Sequence, residues 1–280
     1  MALAVLAVTS CRRSDLPEKP LVVAGIPPIA SIVRDIAGSR VDVMVMTDSE
    51  TDPETYEPTV AQRMRMTQAQ AYFMAGHLPY EKKLAETLNR ENPSVRIVDT
   101  SRGVSLIKGT HMHSDGRRHD DSTDPHTWTS LRNGSIIASN ICKALADIDP
   151  DGAVVYRHNL DSVLNRINYA DSVVSATLAA GPVKSFVVWH PSLSYFARDY
   201  GLRQVVMERD GKESTPASIH GAITESERHG ARVFFLQRQY DSRNAETVSE
   251  YLGLRVVRLN PLDEDWIGHI INVANEIANP

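Results

Sequence analysis

Hydrophobic and polar positions along the chain alternate between two rhythms. Leu21 to Ala24 is a short continuous apolar run, the length of a fully buried strand. Gly25-Ile26-Pro27-Pro28 then reads as a turn, and Ile29, Ile32, Val33 and Ile36 recur at helical spacing up to Gly38. The same order repeats. Val41–Met46 predicts a strand, Val60–Gln70 a helix, Ala71–Ala75 a strand ending at Gly76-His77, Tyr80–Asn89 a helix and Val95–Asp99 a strand. Strands alternating with helices predict a parallel α/β sheet.

After residue 124 a helix is expected over Leu131–Ile148, broken by Asp149-Pro150-Asp151-Gly152. A single long helical pattern follows from about Ala153 to Ala180, with Val155, Leu160, Val163, Leu164, Ile167, Val173, Val174 and Leu178 on its repeat and no internal Gly or Pro. That is long for a globular helix and suits a strut between two lobes. Past Gly181-Pro182 the alternation resumes. Strands are expected at Phe186–Trp189, Gln204–Met207, Val233–Leu236 and Leu254–Leu259, with helices at Ser194–Tyr200, Ser218–His229, Ala245–Tyr251 and Trp266–Ile277. The expected fold is α/β: two lobes, each a parallel sheet flanked by helices, joined by one long backbone helix. The divisions are 1–20 (leader remnant and tether), 21–152 (first lobe), 153–180 (linking helix) and 181–280 (second lobe).

Composition changes this picture little. At 280 residues and 42% hydrophobic the chain can bury one large core or two modest ones. Its net charge of −5, without a long basic run, argues against a nucleic-acid partner. Cys11 and Cys142 make no disulfide framework. Beyond the first dozen residues no apolar run approaches the roughly 20 residues needed to span a bilayer. The start, MALAVLAVTSC, is similar to the tail of a bacterial lipoprotein signal, with Val8-Thr9-Ser10-Cys11 as its recognition box. In that reading Cys11 carries a lipid anchor and the polar stretch to Pro20 is a tether. No basic residue precedes the apolar run, and the alternative is a buried N-terminal strand.

The chemistry concentrates around Asp124-Pro125-His126-Thr127-Trp128. The run before it, GTHMHSDGRRHDDSTD, has almost nothing to bury and reads as a solvated loop carrying His111, His113 and His119. His126 instead follows a proline and precedes a tryptophan able to anchor the turn. Mobile imidazoles leading to a fixed one suggest capture of a borderline metal ion. The competing reading is a polar loop before a structural turn. Ligands of parallel sheets sit beyond the C-terminal strand ends, where His190 falls. His77, His158, His220, His229 and His269 read as structural or surface residues.

The loop DPETYEP (52–58), the turn DPHTW, the stretch VVWHPSLSYFARDYGL and the strand end VVRLNPL, in this order, resemble the metal-binding solute receptors of zinc and manganese ABC importers. The resemblance runs from about Leu21 to the C-terminus. It implies an extracytoplasmic, non-enzymatic protein that takes a divalent ion in the interlobe cleft and passes it to an ABC permease. By matching motif positions it implies four ligands. Glu54 stands where the family has histidine, His126 and His190 match, and Asn260 stands where the family has aspartate, with Asp263 close enough to substitute. Two imidazoles and a carboxylate suit Zn2+ at about 2.0–2.2 Å, and also Fe2+ and, less well, Mn2+. The histidine loop favours zinc. By composition alone Glu54 is a solvated charge, and Glu57 either positions the loop or is an exposed acid. The motif Tyr195–Leu202 is expected to pack the second lobe without touching metal. A zinc hydrolase is the competing class, since the same donor set serves catalysis, but no HExxH or GxSxG motif is present. A surface adhesin with a structural metal is a third reading of the same residues.

Overall fold

A computed structural model of the chain describes residues 19–108, 123–207, 216–240, 251 and 253–279. The first sheet is built from β1 (Leu21–Ala24), β2 (Asp42–Val45), β3 (Ala71–Met74) and β4 (Arg96–Asp99) in the order β2-β1-β3-β4. The second contains β5 (Ser185–Val188), β6 (Arg203–Val206), β7 (Val233–Gln237) and β8 (Arg255–Leu259) in the order β6-β5-β7-β8. Every pairing is parallel. In both sheets the order reverses beside the first strand, which opens a crevice at the C-terminal ends where ligands settle in such folds.

The connecting helices are α1 (Pro27–Ala37), α2 (Val60–Met66), α3 (Pro79–Glu91), α4 (Leu131–Ile148), α5 (Ala153–Ala180), α6 (Ser194–Asp199), α7 (Pro216–His229) and α8 (Trp266–Ala278). Pro27 and Pro28 are the opening of α1 and not a turn before it. Proline suits that position because the first helical N–H groups have no intrahelical acceptor to lose. The second helix stops at Met66, four residues earlier than its sequence pattern suggests. The helix expected at Ala245–Tyr251 lies, apart from Tyr251, outside the described residues, as do Cys11, His111, His113 and His119.

The long helix is the expected one, 28 residues from Ala153 to Ala180, or about 42 Å. Its buried positions Tyr156, Val163, Ile167, Ala170, Val174 and Leu178 form one continuous stripe. They join the larger core, which runs from Val22 and Phe73 in the first lobe to Phe186, Phe235 and Ile277 in the second, while Val187, Val205, Phe234 and Leu236 form a smaller one on the other face of the second sheet. Gly134 of α4 lets Trp266 of α8 come close, since a Cβ there would lie 2.4 Å from the indole ring. The lobes therefore share packed side chains as well as a connection, which favours a fixed relative orientation.

Candidate metal centre

Three segments from different parts of the chain converge between the sheets. The first is the loop after β2. Asp48 Oδ1 accepts the N–H groups of Glu50 and Thr51 at 2.9 and 2.8 Å, and Asp52 Oδ1 accepts that of Glu54 at 2.9 Å. Short acidic side chains thus fold the loop by bonding their own backbone. At its far end Gln62 ties the loop down. Its amide donates to Met46 O at 2.8 Å, and with Thr59 it forms a reciprocal capping box that starts α2. These contacts leave the Glu54 side chain about one-fifth exposed at the cleft.

His126 comes from the turn between the histidine-rich run and α4. One oxygen of Asp124 accepts both its backbone N–H and its ring Nδ1, each at 2.9 Å. Burial would raise the Asp124 carboxyl, but the hydrogen bonds from His126 outweigh it and hold the group below its ordinary value. An ionised Asp124 fixes the proton on Nδ1 and leaves Nε2 as a lone-pair donor. Trp128 anchors the turn across the cleft through its indole N–H to Pro261 O at 2.8 Å.

His190 follows β5. Buried Gln237 clasps its backbone, accepting the His190 N–H at 3.3 Å while its amide donates to His190 O at 2.5 Å and Ser192 Oγ at 2.7 Å. The imidazole stacks on Tyr240, with ring centroids 4.9 Å apart and planes at 17°.

The result is a compact donor set. Glu54 Oε1 lies 3.2 Å from His190 Nε2 and 3.5 Å from His126 Nε2. One donor atom from each residue fits within 4.8 Å of the others, and both histidines are buried. Donors around a tetrahedral zinc with arms near 2.05 Å stand about 3.3 Å apart, so two of the edges are already close to that length. A cavity of about 20 Å³ borders His126 and His190, walled by Gln237, Gln239, Tyr240, Pro261 and Leu262. It has the size of one water, room for one small ligand beside the two imidazoles.

Asn260, the expected fourth donor, stands differently. Its Oδ1 accepts Gln239 Nε2 and the Leu262 N–H, both at 3.0 Å, so the only oxygen it could offer is already engaged. Asp263 accepts the Asp265 N–H and lines a separate open cleft of about 1090 Å³, outside the Glu54–His126–His190 group. Glu57 is exposed and pairs only loosely with Lys83 at 3.6 Å. His158, His220 and His229 are exposed. His77 and His269 each keep one buried ring nitrogen without a hydrogen bond among the described residues, and burial lowers both, His269 to about 4.

Residues outside the expected set also hold the site. Tyr195 does more than pack its own lobe: its hydroxyl donates to Asp124 O at 2.8 Å and accepts the Ile107 N–H at 3.2 Å. Ser130, at the start of α4, bonds Asp199, and Arg198 reaches Ser105 O at 2.6 Å. The stretch 195–199 is thus a bracket from the second lobe beneath the His126 turn. Asp124 lies within the DPHTW motif, where its nearness to His126 was visible, whereas Gln237 and Tyr240 carry no local signal.

Comparison with known proteins bears on the fold and the family. A Chlamydia muridarum protein is 25% identical over 266 residues, covering 95% of this chain and 93% of its own. The zinc-binding lipoprotein AdcA of Streptococcus pneumoniae is 23% identical over 272 residues, and the present chain spans about half of its length (53%). The crystal structure of ZnuA superposes with a TM-score of 0.84 at 29% identity, covering 94% of this chain and 99% of that one. A cadmium-bound periplasmic metal-binding protein from Candidatus Liberibacter asiaticus shares the fold, with a TM-score of 0.77 at 22% identity over 93% of this chain and 99% of its own. Residues 22–279 match the family described as zinc-uptake complex component A periplasmic (ZnuA), and the chain belongs to that family.

Proposed function

We propose that the protein captures one divalent ion, zinc in preference to manganese or iron, on Glu54, His126 and His190, and delivers it to an ABC importer permease. The family is one of extracytoplasmic receptors, not enzymes, which removes the hydrolase reading. The observation that carries the choice of residues is the closeness of three donors, two of them buried imidazoles, one held by an ionised carboxylate. Two nitrogens favour zinc over manganese, and a neutral Asn260 with its oxygen engaged supplies none of the extra oxygen that manganese would want.

His111, His113 and His119 are assigned to transient capture of the ion before it reaches the cleft. Cys11 is assigned to a lipid anchor, a role consistent with the lipoprotein named among the relatives. The lobes are assigned to 21–152 and 181–280 around the helix 153–180.

The test is stoichiometry. Metal-stripped protein titrated with zinc in competition with a chelating dye is expected to take one ion tightly at the cleft. Histidine-loop variants at 111, 113 and 119 are expected to keep that site and lose only weaker uptake. Unaltered tight binding in His126→Ala would remove the proposed centre.

A further inference from the structure

Gln239 and Asn260 stand one layer behind the donor set, and their hydrogen bonds cross the cleft. Gln239 lies two residues beyond β7 and Asn260 one beyond β8, adjacent because Gln237 pairs with Leu259 in the sheet. The two amide hydrogens of Gln239 Nε2 are both used. One goes to Ser49 O in the first lobe at 2.7 Å and the other to Asn260 Oδ1 at 3.0 Å. Asn260 is fixed in turn by the Leu262 N–H at 3.0 Å, which settles which end of its amide is oxygen.

Ser49 belongs to the loop that bears Glu54. Between them the Asp48 and Asp52 turns brace the backbone, so a tether at Ser49 bears on where the Glu54 carboxylate can go. The neighbouring Arg238–Glu50 pair, 3.2 Å apart, is exposed on both sides and adds little. Gln239 also walls the 20 Å³ cavity beside the two histidines, whereas Asn260 does not border it.

We infer that Asn260 is not a ligand but the anchor of a pin, Ser49–Gln239–Asn260, that holds the Glu54 loop against the second lobe and sets how fast the ion leaves. This rests on the proposed metal centre. The amide at 260 then serves a positioning role, and the remaining place on the ion is left to a water-sized ligand. Breaking the pin frees the carboxylate to swing away from the histidines without removing any donor.

The test is zinc release measured by stopped-flow with excess chelator, on wild type, Gln239→Leu, Asn260→Ala, the double variant and Asn260→Asp. Each single loss is expected to speed release by about three- to tenfold, the worth of one partly buried neutral hydrogen bond. The double variant should release no faster than the faster single one, because both remove the same link. Asn260→Asp keeps the acceptor and should release no faster than wild type. Metal-free melting of Gln239→Leu is expected to fall by no more than one or two lost hydrogen bonds allow, with a single cooperative transition kept, separating the pin from a general loss of fold. Unchanged release in Gln239→Leu, or multiplying effects in the double variant, would overturn the pin and return Asn260 to independent action. A wild type that binds no zinc would instead sink the metal centre itself.

Discussion

Asp124 presents one oxygen to both the backbone and the ring of His126, so its removal acts on the histidine's orientation and tautomer together. Asp124→Ala is expected to weaken zinc binding by about 10–100-fold while leaving the three donors in place, as read by dye competition. A second residue-scale effect concerns Glu81. It is fully buried, and its two oxygens accept the N–H groups of Ala75 and Gly76 at 2.8 and 2.9 Å. Burial pushes its carboxyl up to about 8 despite those bonds. The protonated form is therefore favoured by folding, and the contribution is complete below about 4.5 and lost as pH rises towards 8. His269 acts oppositely, costing stability as pH falls from about 6.5 towards 4. Between about pH 6.5 and 8 the Glu81 slope stands apart from that of His269. Melting of metal-free protein is expected to fall with rising pH there, and Glu81→Gln is expected to flatten the slope. A slope unchanged in that variant would assign it to other groups. At this scale the sequence pointed to Glu54, His126 and His190 through short motifs. It was silent on Glu81, which turns back onto the N–H groups of nearby Ala75 and Gly76, and on Gln237, whose partners at His190 and Ser192 are brought to it by the fold.

Elements were legible where periodicity was strong. The helix Ala153–Ala180 and the succession of strands and helices in both lobes follow from apolar spacing, because burial of a stripe or a run is what the pattern encodes, whereas the order of strands within each sheet is set by the crossovers and was not legible. Edges were less so. Pro27-Pro28 reads as a turn by composition yet opens α1, and α2 gives way after Met66 to tighter turns in which Gln68 and Ala69 donate to Arg65 O and Met66 O, while Asn92 takes the Thr67 carbonyl. The start of α2 is the better-defined end. Its capping box links Thr59 and Gln62 to Met46 O, and so to the loop of Glu54. Thr59→Ala is expected to cost about 1 kcal/mol in chemical denaturation, within the usual range for lost caps. A larger loss of zinc affinity than of stability would show that the cap also sets the loop.

On the scale of the molecule, the two sheets share one core through α5, and the candidate centre draws donors from both lobes. An ion held there bridges the lobes and binds only the folded state. Zinc at a hundred times its dissociation constant should therefore stabilise the protein by about 2.7 kcal/mol, and removal with a chelator should reverse it. The most direct test of the account is a competitive titration of zinc and manganese into metal-free wild type, Glu54→Ala and His190→Ala. The account predicts one tight zinc in wild type, weaker manganese, and loss of tight zinc in both variants. Tight zinc surviving in His190→Ala, or manganese outcompeting zinc in wild type, would contradict it.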